Sequence, residues 1–187
     1  MERKDTLYNS KTLSMVQVAI MAAIIYVATW LIQIPVATGG FKGLVHLGDS
    51  MVFVAAVLLG RNKAATASAV GMCLFDLLSP YAMWAPFTFV IKGLMAYIAA
   101  TIAYRNGLQG KSVINNVVGF VLGGIWMILG YFGAGILLNH FGMHMPWNQS
   151  YIAALPNIPA DIAQVVIGII IATPLSLILK KANVIHK

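Results

Sequence analysis

The chain has 187 residues, of which 60% are hydrophobic and 9% charged; an ordinary soluble domain carries roughly 45–50% apolar and about 25% charged residues, so a water-soluble globular protein is excluded and one compact membrane domain covering residues 1–187 is predicted. The net charge of +7, from 12 Lys and Arg against 5 Asp and Glu, is scattered and forms no contiguous basic face for nucleic acid. One cysteine, Cys73, in an apolar stretch excludes a disulfide framework and a Cys-based zinc or iron–sulfur site.

The first apolar run extends from Leu13 to Val36, behind Arg3, Lys4 and Lys11. A cleaved signal has an apolar run of about 7–15 residues; this one is longer and others follow, so it is read as a retained helix. Its Ala19-xxx-Ala23 pair forms a small-residue strip suited to close helix approach, inside the bundle or against another membrane subunit. The second run, Gly43 to Gly60, opens with His46 and Asp49, and the third, Ala64 to Ser79, closes with Asp76. Both are short for a hydrocarbon layer of about 30 Å, which takes about 20 helical residues.

A Ser79 to Pro86 connection, fixed by its prolines, presents Tyr81 and Trp84. The fourth run, Ala85 to Tyr104, holds Lys92, and the fifth, Val113 to Asn139, carries Gly119-xxx-Gly123, which predicts packing within the bundle. His140, His144, Trp147, Asn148 and Tyr151 follow in a longer loop, where Pro146, Pro156 and Pro159 are expected to interrupt any helix. His140 and His144 have a metal-compatible spacing, but Gly142 and Pro146 argue against the regular helix it needs, and no metal site is assigned. The sixth run, Ile158 to Leu179, has the clearest polar stripe: Asn157, Asp161 and Gln164, continued by Gly168 and Ala172.

The predicted fold is therefore an all-α integral membrane protein, a bundle of six transmembrane helices. Arg61, Lys63, the Arg105–Lys111 stretch, Lys180, Lys181, Lys187 and the N-terminal cations fall on one side, with Lys42 alone in a loop of the other. The positive-inside rule then places both termini in the cytoplasm. On that topology Asp49, Asp76, Lys92 and Asp161 converge on the outer half of the membrane. Ionisable groups in spans are costly and mark functional sites by default. Lys92 is expected to neutralise Asp49 or Asp76, because unpaired buried charge costs several kcal/mol.

The string His46-Leu47-Gly48-Asp49, Leu59-Gly60, Gly71 with Asp76, Tyr81-Ala82-Met83-Trp84-Ala85-Pro86 and Ile91-Lys92-Gly93 resembles the substrate-binding S component of an energy-coupling factor (ECF) vitamin transporter. The likeness is to the branch grouping riboflavin-type with hydroxymethylpyrimidine- or pyridoxine-type S components, and it covers nearly the whole chain. The resemblance implies a multi-pass protein of the bacterial plasma membrane that captures a vitamin at its outer side. It also implies docking on a transmembrane T component driven by two ATPase subunits, and toppling to release the cargo. It places a docking motif on Ala19 and Ala23, and ligand contacts on Tyr81, Trp84, Asn157 and Asp161. His46, Asp49, Asp76, Lys92 and Gln164 join these as substrate-binding candidates from the polar map alone. Thiamine-binding members carry an acidic residue beside the loop-three tyrosine, whereas Pro80 precedes Tyr81 in this chain. A smaller ring is favoured: hydroxymethylpyrimidine first, pyridoxine or pyridoxamine second, riboflavin third. No cofactor is implied.

An enzyme is disfavoured, because no Gly-x-Ser-x-Gly elbow, His-Glu-x-x-His motif or recognisable Asp pair is present. The alternative is a self-contained secondary transporter or channel, although Pro174 alone among the prolines lies deep in a span.

Overall fold

A computed structural model describes residues 2–36 and 43–182, with side chains from residue 11 onward apart from Gly43. Lys42 and Lys187 lie outside the described residues, and the side chains of Arg3 and Lys4 outside the described part of their helix. In chain order the elements are α1 (Glu2–Leu31), β1 (Gln33–Val36), β2 (Gly43–His46), α2 (Gly48–Leu59), α3 (Arg61–Leu77), α4 (Ala85–Ala103), α5 (Val113–Leu137), α6 (Trp147–Ala154) and α7 (Ile158–Lys181).

Helix α2 is the axis of the bundle. Its Met51-Val-Phe-Val-Ala-Ala-Val-Leu-Leu run is apolar on every side, the pattern of a helix enclosed all round. It packs against α1, α3, α4 and α7, while α1–α3, α3–α4, α4–α5 and α5–α7 contacts complete the surrounding wall. Phe53 stacks on Phe120 at 4.6 Å in the centre. The outer faces are apolar as well: Ile20 and Ile24 on α1, Leu122 and Leu129 on α5, and Ile162, Val166 and Ile170 on α7 are exposed.

Small residues set the helix spacing. A Cβ on Gly71 would lie 2.5 Å from the Ala22 carbonyl oxygen, so α3 touches the α1 backbone directly. Gly119 and Gly123 approach the α4 backbone almost as closely, with Cβ positions 2.6 Å from the Ala99 oxygen and 2.8 Å from the Met95 oxygen. The Gly119-xxx-Gly123 motif thus packs inside the bundle. Ala19 and Ala23 do not take part: both are exposed on α1, whose Met21, Ala22 and Ile25 face inward.

One end of the bundle gathers cations and closes the end of α2. Gly60, at φ +76°, turns α2 into α3. The Tyr104 hydroxyl donates to the Val57 and Leu58 carbonyls at 3.0 and 3.3 Å, satisfying acceptors that the last helical turn leaves open. Lys180 Nζ lies 5.6 Å from the centre of the Tyr104 ring, and Lys63 donates to Gln17 Oε1 at 2.9 Å.

The fold is an all-α membrane protein with one short addition: the ends assigned to the first two spans form an antiparallel hairpin pairing Gln33 with His46 and Val36 with Gly43. Pro35 lies in β1, where its lack of an N–H and its extended backbone suit a short two-stranded edge better than a helix. The stretch before the last helix is not an irregular loop. Pro146 precedes α6, and Pro156 and Pro159 occupy first-turn positions of the following one-turn 3-10 segment and of α7, where proline costs no hydrogen bond. Four helical stretches among the described residues have by themselves the length and apolarity to cross a membrane, residues 11–31, 82–103, 113–142 and 147–181, and Gly48–Leu59 is a shorter apolar helix. Helix α2 has 12 residues and α3 has 17, about 18 and 26 Å at 1.5 Å per residue.

Candidate functional site

At the end opposite Tyr104 and Lys180, the hairpin, α3, α4, α5 and α7 surround a cavity of about 700 Å³, its open mouth included. Its polar lining comprises His46, Asp76, Thr88, Asn157, Asp161 and Gln164, and its walls Leu44, Met72, Phe75, Tyr81, Trp84, Tyr131 and Ala160. The aromatic wall consists of two ring pairs: Phe75 and Tyr81 lie nearly parallel with centroids 6.5 Å apart, and Trp84 meets Tyr131 at 5.9 Å. The Thr88 and Tyr131 hydroxyls are 3.1 Å apart.

Behind the wall lies the ion pair. Lys92 Nζ is 2.5 Å from Asp49 Oδ1, with both side chains essentially inaccessible to solvent. Lys92 therefore pairs with Asp49 and not with Asp76. The Lys92 ammonium also approaches Met127 Sδ at 3.0 Å and sits 5.1 Å from the Tyr131 ring centre. Gln164 joins this pair to the cavity, its amide nitrogen donating to Asp49 Oδ2 at 2.8 Å and lying 3.2 Å from His46 Nε2. An amide nitrogen only donates, so Nε2 accepts and the His46 ring proton sits on Nδ1. His46 is on the hairpin, and burial is the main force pushing its pKa down, to about 4, which keeps it neutral at pH 7. Burial, then the neighbouring Asp76, raises the Tyr81 phenol, which stays a neutral hydroxyl.

Four buried polar atoms of the lining have no hydrogen-bond partner among the described residues: His46 Nδ1, Asp76 Oδ2, Asn157 Oδ1 and Asp161 Oδ2. Most buried polar side-chain atoms in native proteins are paired, so four around one cavity mark a surface made to meet a polar molecule.

Comparison with known proteins adds an independent finding. Residues 9–181 match the family described as ECF-type riboflavin transporter, S component. The chain belongs to that family. Among curated relatives, it is 36% identical over 155 residues to an uncharacterised protein of Pyrococcus woesei, covering 83% of this chain and 93% of that one. It is 24% identical over 168 residues, 90% of this chain and 88% of the other, to the thiamine precursor transporter HmpT of Lactococcus lactis subsp. cremoris (strain MG1363). The S component is thus a multi-pass protein of the plasma membrane that serves as the substrate-binding subunit of a vitamin transporter, and it is not an enzyme.

Seven of the nine candidate substrate residues of this S component line the cavity: His46, Asp76, Tyr81, Trp84, Asn157, Asp161 and Gln164. Asp49 and Lys92 stand behind it and act on it through Gln164 and Tyr131. The second aromatic set lies elsewhere. His140 stacks on Trp147 at 3.8 Å and bonds the Met145 carbonyl at 2.7 Å, while His144 takes φ +55°, and none of His140, His144, Trp147, Asn148 and Tyr151 lines the cavity. No group of three His, Cys, Asp or Glu able to hold a metal occurs among the described residues.

The residues missed from sequence had signals at helical and strand spacing. Thr88 falls midway between Trp84 and Lys92 in steps of four on α4, Met72 lies four before Asp76 on α3, Ala160 four before Gln164, and Leu44 two before His46. Tyr131 had none, because one phenol in a long apolar helix looks like interfacial material.

Proposed function

We propose that this S component captures a small heteroaromatic vitamin or vitamin precursor in the cavity among Tyr81, Trp84, Tyr131 and Asp161, hydroxymethylpyrimidine first and pyridoxine or pyridoxamine second. The observation carrying this reading is the set of four unpartnered buried polar atoms set in an aromatic wall. A flat ring stacks on Trp84 and Tyr81, gaining apolar contact and ring geometry, and its polar edge reaches Asn157, Asp161 and Asp76. The printed name of the Lactococcus relative, a thiamine precursor transporter, supports the ranking. The Lys92–Asp49 pair forms a rigid floor that holds Gln164 and His46 in register.

On this reading six helices traverse the membrane, α2 and α3 being the short ones, both termini are cytoplasmic, and the cavity opens outward. The cations at the Tyr104 end supply the charge asymmetry. Delivery inward requires a transmembrane T component and two ATPase subunits, with the exposed Ala19 and Ala23 of α1 as the docking strip.

The test is native mass spectrometry of the detergent-purified chain with hydroxymethylpyrimidine, pyridoxine, pyridoxamine, thiamine and riboflavin in competition. One saturable one-to-one adduct with a small ring is expected, weakened by roughly 1 kcal/mol in Trp84→Ala. A folded chain that takes none of the five overturns the reading, and a riboflavin adduct that outcompetes the others overturns the ranking.

A further inference from the structure

At the end of the bundle opposite the cavity, cations from three separate segments gather around one ring. Tyr104 closes α4 there, with its hydroxyl on the Val57 and Leu58 carbonyls. Its ring lies against Gly60, where an added Cβ would be 3.4 Å away, and the Lys180 ammonium is 5.6 Å from the ring centre. Gly110 completes the contact: a Cβ there would lie 2.7 Å from the Val57 oxygen and 3.4 Å from Lys180 Cε. Each of these four anchors is followed in the chain by a cation: Arg61 after Gly60, Arg105 after Tyr104, Lys111 after Gly110 and Lys181 after Lys180. All four cations are exposed. Positive-inside counting needs them only on this side of the membrane, not gathered at one contact.

The link between α4 and α5 is folded tightly enough to bring two of them back together. Asn106, Gly107, Gln109 and Gly110 all have positive φ, and the Gly110 N–H donates to the Ala103 carbonyl at 2.9 Å. Buried Asn116 donates to the Gly110 carbonyl, also at 2.9 Å. Non-glycine residues hold a positive φ where the surrounding structure fixes them, so Arg105 and Lys111 stand on a firm platform. None of the four cations forms an ion pair among the described residues. The carboxylates with described side chains, Asp49, Asp76 and Asp161, belong to the cavity end, and Glu2 and Asp5 are offset in the sequence by Arg3, Lys4 and Lys11. Gathered cations repel, and an anion that meets several of them at once relieves that repulsion.

The surface beside them is apolar. Leu108 in the link, Val113 and Ile114 at the start of α5 and Ile178 in the last turn of α7 are exposed, Ile114 to 76%. A free phosphate or a soluble acidic segment would use the cations alone, whereas a phospholipid uses both parts. We propose that the Tyr104 end holds an anionic phospholipid, its phosphate met by Arg61, Arg105, Lys111 and Lys181 and its acyl chains lying along the exposed side chains of α5 and α7. Each arginine offers a fork to two phosphate oxygens, and the lysines add point charges. The site is independent of what the cavity binds.

The test is native mass spectrometry of the detergent-purified, delipidated full chain, titrated with dioleoyl phosphatidylglycerol and separately with dioleoyl phosphatidylcholine, which has the same chains and no net charge. Saturable binding of phosphatidylglycerol is expected, at least about tenfold tighter than that of phosphatidylcholine. Arg105→Gln should lower this preference, and Arg105→Gln combined with Lys181→Gln should bring the two lipids to within about threefold. Lys11→Gln removes one charge from α1, outside the Tyr104 contact, and should leave the preference unchanged. Inorganic phosphate should not displace the bound lipid. The substituted side chains are exposed, and the wild-type comparison decides by itself if a variant fails to fold. Equal binding of the two lipids would overturn the proposal and leave these cations to an acidic protein surface. Displacement by inorganic phosphate would overturn the part played by the acyl chains, and an equal loss in Lys11→Gln and Arg105→Gln would replace the site by the general field of this end.

Discussion

Lys92 shows how much one residue can organise. It is fully buried, its ammonium touches Asp49, Met127 and the face of Tyr131, and the pair it forms fixes the Gln164 amide. Lys92→Met should leave Asp49 as an uncompensated buried charge and lower stability by about 3–5 kcal/mol, whereas Lys92→Met combined with Asp49→Leu should recover most of that loss. Thermal unfolding in detergent checks both; a double variant no better than the single would show that the pair contributes through packing. His46 gives a second residue-scale prediction. Its pKa is about 4 in the folded chain against 6.5 for a free imidazole, so the unfolded chain binds more protons between those values and stability falls as pH drops from 6.5 toward 4. The ring lines an open cavity where solvent screens part of this effect, so the loss is on the order of 2 kcal/mol. Unfolding midpoints measured from pH 7 to 4 should show this slope in the wild type and a shallower one in His46→Gln.

Among the elements, helix contacts depend on absent side chains as much as on present ones. Ala99 and Met95 carbonyls occupy the space where Cβ atoms of Gly119 and Gly123 would be. Gly119→Ala should therefore force α4 and α5 apart and cost about 1–3 kcal/mol. Gly133, on the same helix, meets nothing within 4 Å, and Gly133→Ala should be neutral or slightly stabilising because alanine loses less backbone entropy. Equal melting temperatures for the two variants would contradict this account of the α4–α5 contact. On α1 the arrangement is reversed: Ala22 faces Gly71 inside, and Ala19 and Ala23 face outward. Ala19→Trp should spare ligand binding and abolish assembly with the T component, as read by co-purification; a complex that survives the indole would remove α1 from the docking surface.

For the molecule as a whole, the apolar exterior surrounds a cavity at one end of the bundle, and the axis behind that cavity is filled among the described residues. Helix α2 fills the axis from Gly48 to Leu58, and the Tyr104–Val57 contacts seal its other end. Reconstituted alone in vesicles, the chain should bind ligand and show no ATP-dependent uptake. Adding the T component and ATPases should restore uptake, and transport by the chain by itself would favour the secondary-transporter reading.

Much of this was legible in the sequence, for physical reasons that differ from part to part. A helix in lipid satisfies its backbone within one segment, so each membrane segment announced itself by local apolarity, and each ionisable group within one stood out because its desolvation is costly. That is why His46, Asp76, Asp161 and the Asn157–Gln164 stripe could be marked without coordinates. The partner of Lys92 could not be, because Asp49 and Asp76 are equivalent in a one-dimensional reading and only helix packing brings one of them to 2.5 Å. Nor could Tyr131 or Phe75, since apolar and phenolic side chains in an apolar helix carry no signal until a neighbouring helix makes them a wall. The sequence by itself determined a membrane bundle and the polar residues it must accommodate, through local hydropathy and the cost of buried charge. The tertiary structure alone decided which charges cancel, which rings enclose the cavity and which carboxyl groups are left facing it, because those are set by contacts between segments far apart in the chain.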